Sequence, residues 1–116
     1  MTSTVTRSYT ILGRDFDVDE LKDIVNHGMS GGVSGFIYTR ECCDAFDEYE
    51  DDIETYLSDW VYDNLSSGTN YIQWIVENAK NAGHDILSID RLKNQMVWAY
   101  VELMSFEILS ENGYDF

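Results

Sequence analysis

The stretch Ser34–Ser66, SGFIYTRECCDAFDEYEDDIETYLSDWVYDNLSS, decides how the fold is read. At 100° per residue, Thr39, Cys42, Cys43, Tyr49, Ile53, Tyr56, Leu57, Trp60 and Val61 all fall within about 80° of Phe46. The pattern predicts one long amphipathic helix, apolar on one side and almost wholly acidic on the other. Its start has two readings, because Phe36-Ile37-Tyr38 also suits the last turn of a strand, with Thr39 as N-cap and a kink near Tyr38.

Downstream, Ser66-Ser67-Gly68-Thr69 breaks the helix. Thr69 or Asn70 then caps a third helix over 70–81, with Tyr71, Ile72, Ile75 and Ala79 as its apolar face and an end at Gly83. Ser88 caps a last helix that runs to about Ser110 and stops at Asn112-Gly113. Leu92, Met96, Ala99, Tyr100, Leu103 and Phe106 recur there at helical spacing. Upstream, Val5–Leu12 is rich in β-branched and aromatic residues and reads as a strand, which Gly13 ends. Its partner is a piece around Val33–Tyr38 or a second copy of the chain. Asp17 and Glu20 form a D-x-x-E capping box for a helix over 18–27, with Val18, Leu21, Ile24 and Val25 facing inward. Gly28, Gly31, Gly32 and Gly35 mark a backbone of positive φ or close packing. The expectation is a mainly α fold with a minor β part. It is one domain over 1–116, of about four helices with the two long ones packed together and a short N-terminal strand.

Charge narrows the function. With 22 Asp and Glu against 7 Lys and Arg, the 116-residue chain carries a formal −15. Direct nucleic-acid contact needs a basic surface that so few cations cannot build, and an anionic membrane repels the chain equally. A basic partner is the natural complement. No apolar run is long enough for a transmembrane helix, and MTSTVTRSYT has no signal-peptide core. Cys42 and Cys43 are neighbours, which strains any bridge between them, so they read as free, buried thiols of a cytoplasmic protein.

The acid is concentrated. From Glu41 to Ala79 there is no Lys or Arg, while Glu41, Asp44, Asp47, Glu48, Glu50, Asp51, Asp52, Glu54, Asp59 and Asp63 follow one another. On a straight helix they span about 33 Å, roughly one negative charge per 3 Å against one per 1.7 Å in duplex DNA. Asp44, Glu48 and Asp52 stand four apart, as do Asp47 and Asp51, a spacing that could imitate a row of phosphates. A solubilising helix would mix in lysines and avoid the repulsion. The competing reading is a solvated face with no partner.

Other chemistries are weaker. Asp15-Phe16-Asp17-Val18-Asp19 opens like a calcium loop, but Glu20 replaces the turn glycine and Asn26 the bidentate glutamate. Gly28-Met29-Ser30-Gly31-Gly32, with His84 downstream, has the letters of a nucleophile elbow but follows a helix rather than a strand. A thiol enzyme pairing Cys42 or Cys43 with His27 or His84 conflicts with burial of the thiols. No catalytic residue, metal or cofactor is therefore assigned. Three Trp and eight Tyr are more than one small core usually absorbs, and Trp74, Tyr62 and Tyr114 are candidates for an interface; the competing reading is that the aromatics simply fill the core.

The run His27-Gly28-Met29-Ser30-Gly31-Gly32-Val33-Ser34-Gly35-Phe36-Ile37-Tyr38 resembles a family of small acidic bacteriophage-encoded proteins of unassigned function. The resemblance extends through Phe46–Glu54 and Lys93–Ala99 and covers about residues 20–105; Glu41-Cys42-Cys43 departs from it. It implies a phage origin, and small acidic phage proteins are often anti-defence factors, DNA mimics and anti-CRISPR proteins among them. The expected function is thus a non-enzymatic inhibitor of a basic, nucleic-acid-binding host defence protein, such as a CRISPR or restriction effector, in the bacterial cytoplasm. Glu41, Asp44, Asp47, Glu48, Asp51, Asp52, Glu54, Asp59, Asp63 and Trp74 would form its binding face. The alternative is an accessory protein that associates through aromatic surfaces, as a homodimer or with another chain.

Overall fold

The structure, a computed structural model, describes residues 7–27, 39–65, 70–81, 83 and 86–115. It is mainly helical with a small antiparallel sheet. The elements are β1 (Ser8–Ile11), β2 (Arg14–Asp17), α1 (Val18–His27), α2 (Thr39–Asn64), α3 (Tyr71–Asn81) and α4 (Ile89–Glu111). They fall into two compact units, Met1–Gly35 with Val101–Phe116, and Phe36–Tyr100. Helix α4 begins in the second and ends in the first.

In the first unit the strand finds its partner at once. β1 pairs with β2 in a hairpin, Ser8 opposite Asp17 and Ile11 opposite Arg14, a partner not expected from the sequence; residues 33–38 lie outside the described residues. Two residues make the turn, Leu12 at φ 52° and Gly13 at φ 76°, the left-handed pair whose twist matches the strands it joins. Alternation then sorts the side chains. Tyr9, Ile11, Arg14 and Phe16 share one face, and Ile11 and Phe16 are buried. Thr10 bonds Asp15 on the other face.

Asp17 ends β2 and caps α1. Its carboxylate accepts from the Glu20 amide at 2.8 Å, while the Glu20 carboxylate accepts from the Asp17 amide at 3.2 Å, the reciprocal box expected. Leu21 and Ile24 are the fully buried residues of α1. At the other end of the chain, Gly113 at φ 73° stops α4. The Tyr114 amide returns to the Leu109 carbonyl at 3.0 Å and the Gly113 amide to Ser110 at 3.3 Å, a Schellman closure. Within this unit the hydroxyls of Tyr9 and Tyr114 meet at 3.5 Å, so Tyr114 is half-buried rather than an exposed interface residue.

The second unit holds α2, α3 and the start of α4. Helix α2 buries Phe46, Ile53, Leu57 and Val61, as the stripe predicted. It is not one straight helix: Tyr49, at φ −116° and ψ 25°, interrupts it. The expected kink near Tyr38 and the helix start at Ser34 lie outside the described residues, as does the glycine loop 28–35. No Pro, Gly or Ser explains the break. Charge of one sign crowds it instead. A continuous helix would bring Asp47 against Glu50 and Asp51, and Glu48 against Asp51 and Asp52, four like-charge pairs worth about 1–2 kcal/mol of repulsion together. A net backbone hydrogen bond is worth about 0.5–1.5 kcal/mol, the same size as this repulsion.

Asn70 caps α3 through the Ile72 amide at 2.8 Å, and Gly83 at φ 87° follows its end. Ile75 and Ala79 are buried, but Ile72, on the same face in the first turn of the helix, is exposed, against expectation. Ser88 caps α4 through the Arg91 amide at 3.2 Å. The buried residues of α4 are Met96, Val97, Trp98, Val101, Ser105 and Leu109. The predicted stripe was rotated: Phe106 is exposed, and Leu92, Ala99, Tyr100 and Leu103 are half-buried. Apolar residues circle this helix, so spacing alone could not pick the inward face. The two long helices do meet, with Tyr56 edge-on to Tyr100 at 5.1 Å between ring centres.

Candidate functional site

The side chains that α2 leaves outside its apolar stripe form the candidate surface. Asp44, Asp47, Glu48, Glu50, Asp51, Asp52, Asp59 and Asp63 are all exposed, and the break at Tyr49 divides them into two groups. The second, Glu50 to Asp63, spans about 20 Å of helix, in place of a single 33 Å row. Glu41 lies on the first turn of α2, with its side chain outside the described residues.

Two of the predicted carboxylates are already engaged. Asp47 accepts from Lys93 of α4 at 2.8 Å, a hydrogen bond that holds the lysine above its ordinary pKa; its ammonium also lies 5.5 Å from the centre of the Phe46 ring. Glu54 is half-buried and accepts from the Tyr71 hydroxyl of α3. Burial first, then Glu54 and Glu50, push Tyr71 upward. Both partners come from other elements, which no spacing within α2 could reveal. Asp44, Glu48, Asp51, Asp52, Asp59 and Asp63 make the exposed remainder of the predicted carboxylates.

Trp74 is half-buried because its indole stacks on Trp60, with ring centres 5.0 Å apart and planes 32° from parallel. It joins α3 to α2 and offers a partner only part of its ring. Tyr62 is 76% exposed on the acidic side, as the sequence suggested. Leu87 and Ile89, 77% and 73% exposed before and at the start of α4, were missed. Their only signal was apolar character on both sides of the Ser88 cap.

The residues of the weaker chemistries have other duties. Asp15 bonds Thr10 and Asp17 caps α1, so the calcium-like spacing serves the hairpin and the cap. Among the described residues, no group of three His, Cys, Asp or Glu could hold a metal ion. Cys43 is a free thiol, half-buried rather than buried, and donates to the Asp90 carbonyl at 3.7 Å. Burial and then Asp90 raise its pKa, which disfavours the thiolate that a nucleophile requires. Ser30 and His84, and the side chains of His27 and Cys42, lie outside the described residues. Among the described residues no helix is long and apolar enough to cross a membrane.

Residues 3–114 match the family model of a domain of unknown function, DUF7222, and the chain belongs to that family. No curated protein matches the chain. No solved structure matches it either.

Proposed function

We propose that this member of the DUF7222 family is a non-enzymatic inhibitor that presents α2 to the nucleic-acid groove of a basic host protein. The observation that carries the reading is the exposed, single-sign face of α2, where Asp51, Asp52, Asp59 and Asp63 turn outward on a helix with no cation beyond Arg40. Carboxylates there would replace phosphates opposite Lys and Arg, and the exposed ring of Tyr62 would stack on a guanidinium. A restriction or CRISPR effector in the bacterial cytoplasm is the target class, by the resemblance to small acidic phage proteins.

Tagged protein and bacterial lysate, mixed at low and at high salt, test the reading. A nucleic-acid-binding protein retained only at low salt is the expected result. Reversing Asp51, Asp52 and Asp59 to Lys abolishes retention with the fold intact; retention unchanged by the reversal refutes mimicry. Asp47 and Glu54 are poorer choices, because their loss also disturbs Lys93 and Tyr71.

Exposed Leu87, Ile89 and Tyr62 support a second reading, association through apolar surface with another chain or a second copy. It predicts salt-independent retention that Leu87→Ser with Ile89→Ser removes.

A further inference from the structure

We infer that the break at Tyr49 is an electrostatic joint, held open by carboxylate repulsion and closed into one continuous helix when that charge is neutralised. The backbone supplies the first observation, a single non-helical residue inside an otherwise unbroken element. The sequence supplies the second, the lack of any Pro, Gly or Ser between Phe46 and Ile53. The third is the placing of the charge. Asp47, Glu48, Glu50, Asp51 and Asp52 flank Tyr49 on both sides, and every one is exposed, so no burial fixes any of them in place.

The elements beside the break bring little to offset this. From α4, Lys93 reaches Asp47, with Asp90 and the Cys43 thiol near it. From α3, Tyr71 holds Glu54 and stands near Glu50, and it carries no positive charge. Among the described side chains, Lys93 is the cation paired with these five carboxylates, and it engages the one furthest toward the N-terminus. On both sides of the joint the core contacts are kept, since Phe46 and Ile53 are each buried. The two arms are anchored in the core, and between them only Tyr49 is shielded from solvent. Docking of a basic surface, the reading proposed above, would drive the same closure, but the joint itself does not depend on that reading.

Amide hydrogen exchange of the full chain at low ionic strength tests the joint without any partner. Glu48→Gln with Asp51→Asn removes three of the four like-charge pairs across Tyr49. Protection factors at residues 50–53 should rise about three- to tenfold while those of Val97 and Val101 in α4 stay constant. Raising the salt to about 1 M should produce the same local gain in the native sequence and little in the variant. Asp59→Asn with Asp63→Asn removes equal charge elsewhere on α2 and should leave 50–53 unchanged. No local gain, a gain shared by Val97 and Val101, or an equal gain from the Asp59 and Asp63 pair would each overturn the joint.

Discussion

Helices α2 and α4 are almost equal in length, 26 and 23 residues, yet they solve the problem of a long helix differently. Helix α2 keeps its apolar side chains to one stripe and spends the rest on charge of one sign, and it breaks. In α4 apolar residues sit all round, the few charges include both signs, and the helix runs unbroken. Asp90 and Lys93 are three apart with opposite charge, while Asp47 and Glu50 are three apart with the same charge. Apolar spacing decides which side of a helix is buried. Charge of one sign crowds the broken helix, and charge of both signs is spread along the continuous one.

The sharpest way to break the comparison is to remove one core residue from each helix. Leu57→Ala in α2 and Leu109→Ala in α4 each empty a fully buried site and should cost about 2–5 kcal/mol by denaturant titration. A loss confined to one of them would mean that the two helices do not anchor the fold alike. Smaller is the effect of the α4 cap. Ser88→Ala removes the acceptor for the Arg91 amide and should cost about 1 kcal/mol in the same measurement.

The smallest effect is a pH dependence. Burial raises the pKa of Glu102 in α4, so the folded state holds that proton more tightly than the unfolded one. The resulting stability is present below the ordinary carboxylate pKa and is lost as pH rises through the raised folded value. Glu102→Gln should therefore be more stable than the native chain at pH 7, and the two midpoints should converge as pH falls below about 4. A constant difference across that window would assign the effect to packing instead of charge.

What the sequence disclosed divides along similar lines. The boxes and caps at Asp17, Asn70, Ser88 and Gly113 were legible because each needs a particular side chain, or none, at a fixed distance from a helix end. The hairpin was not. β2 offers one apolar residue in four, too few for an alternation to show, and Leu12-Gly13 lacks the Asn or Asp that usually announces a left-handed pair. The inward face of α4 was hidden by its excess of apolar residues. Exposure of the acidic face followed from the stripe opposite it, whereas the engagement of Asp47 and Glu54 depends on Lys93 and Tyr71, brought close only by folding. The break at Tyr49 left no breaker residue to read, only a density of charge.

The stacked indoles of Trp60 and Trp74 give α2 and α3 a shared optical signature. Two such chromophores 5.0 Å apart and 32° from parallel couple their electronic transitions, so the pair has a circular dichroism of its own that neither ring has alone. That signal depends on the stack, disappears with Trp74→Phe, and reads the seating of α3 on α2 in a protein that needs no added label.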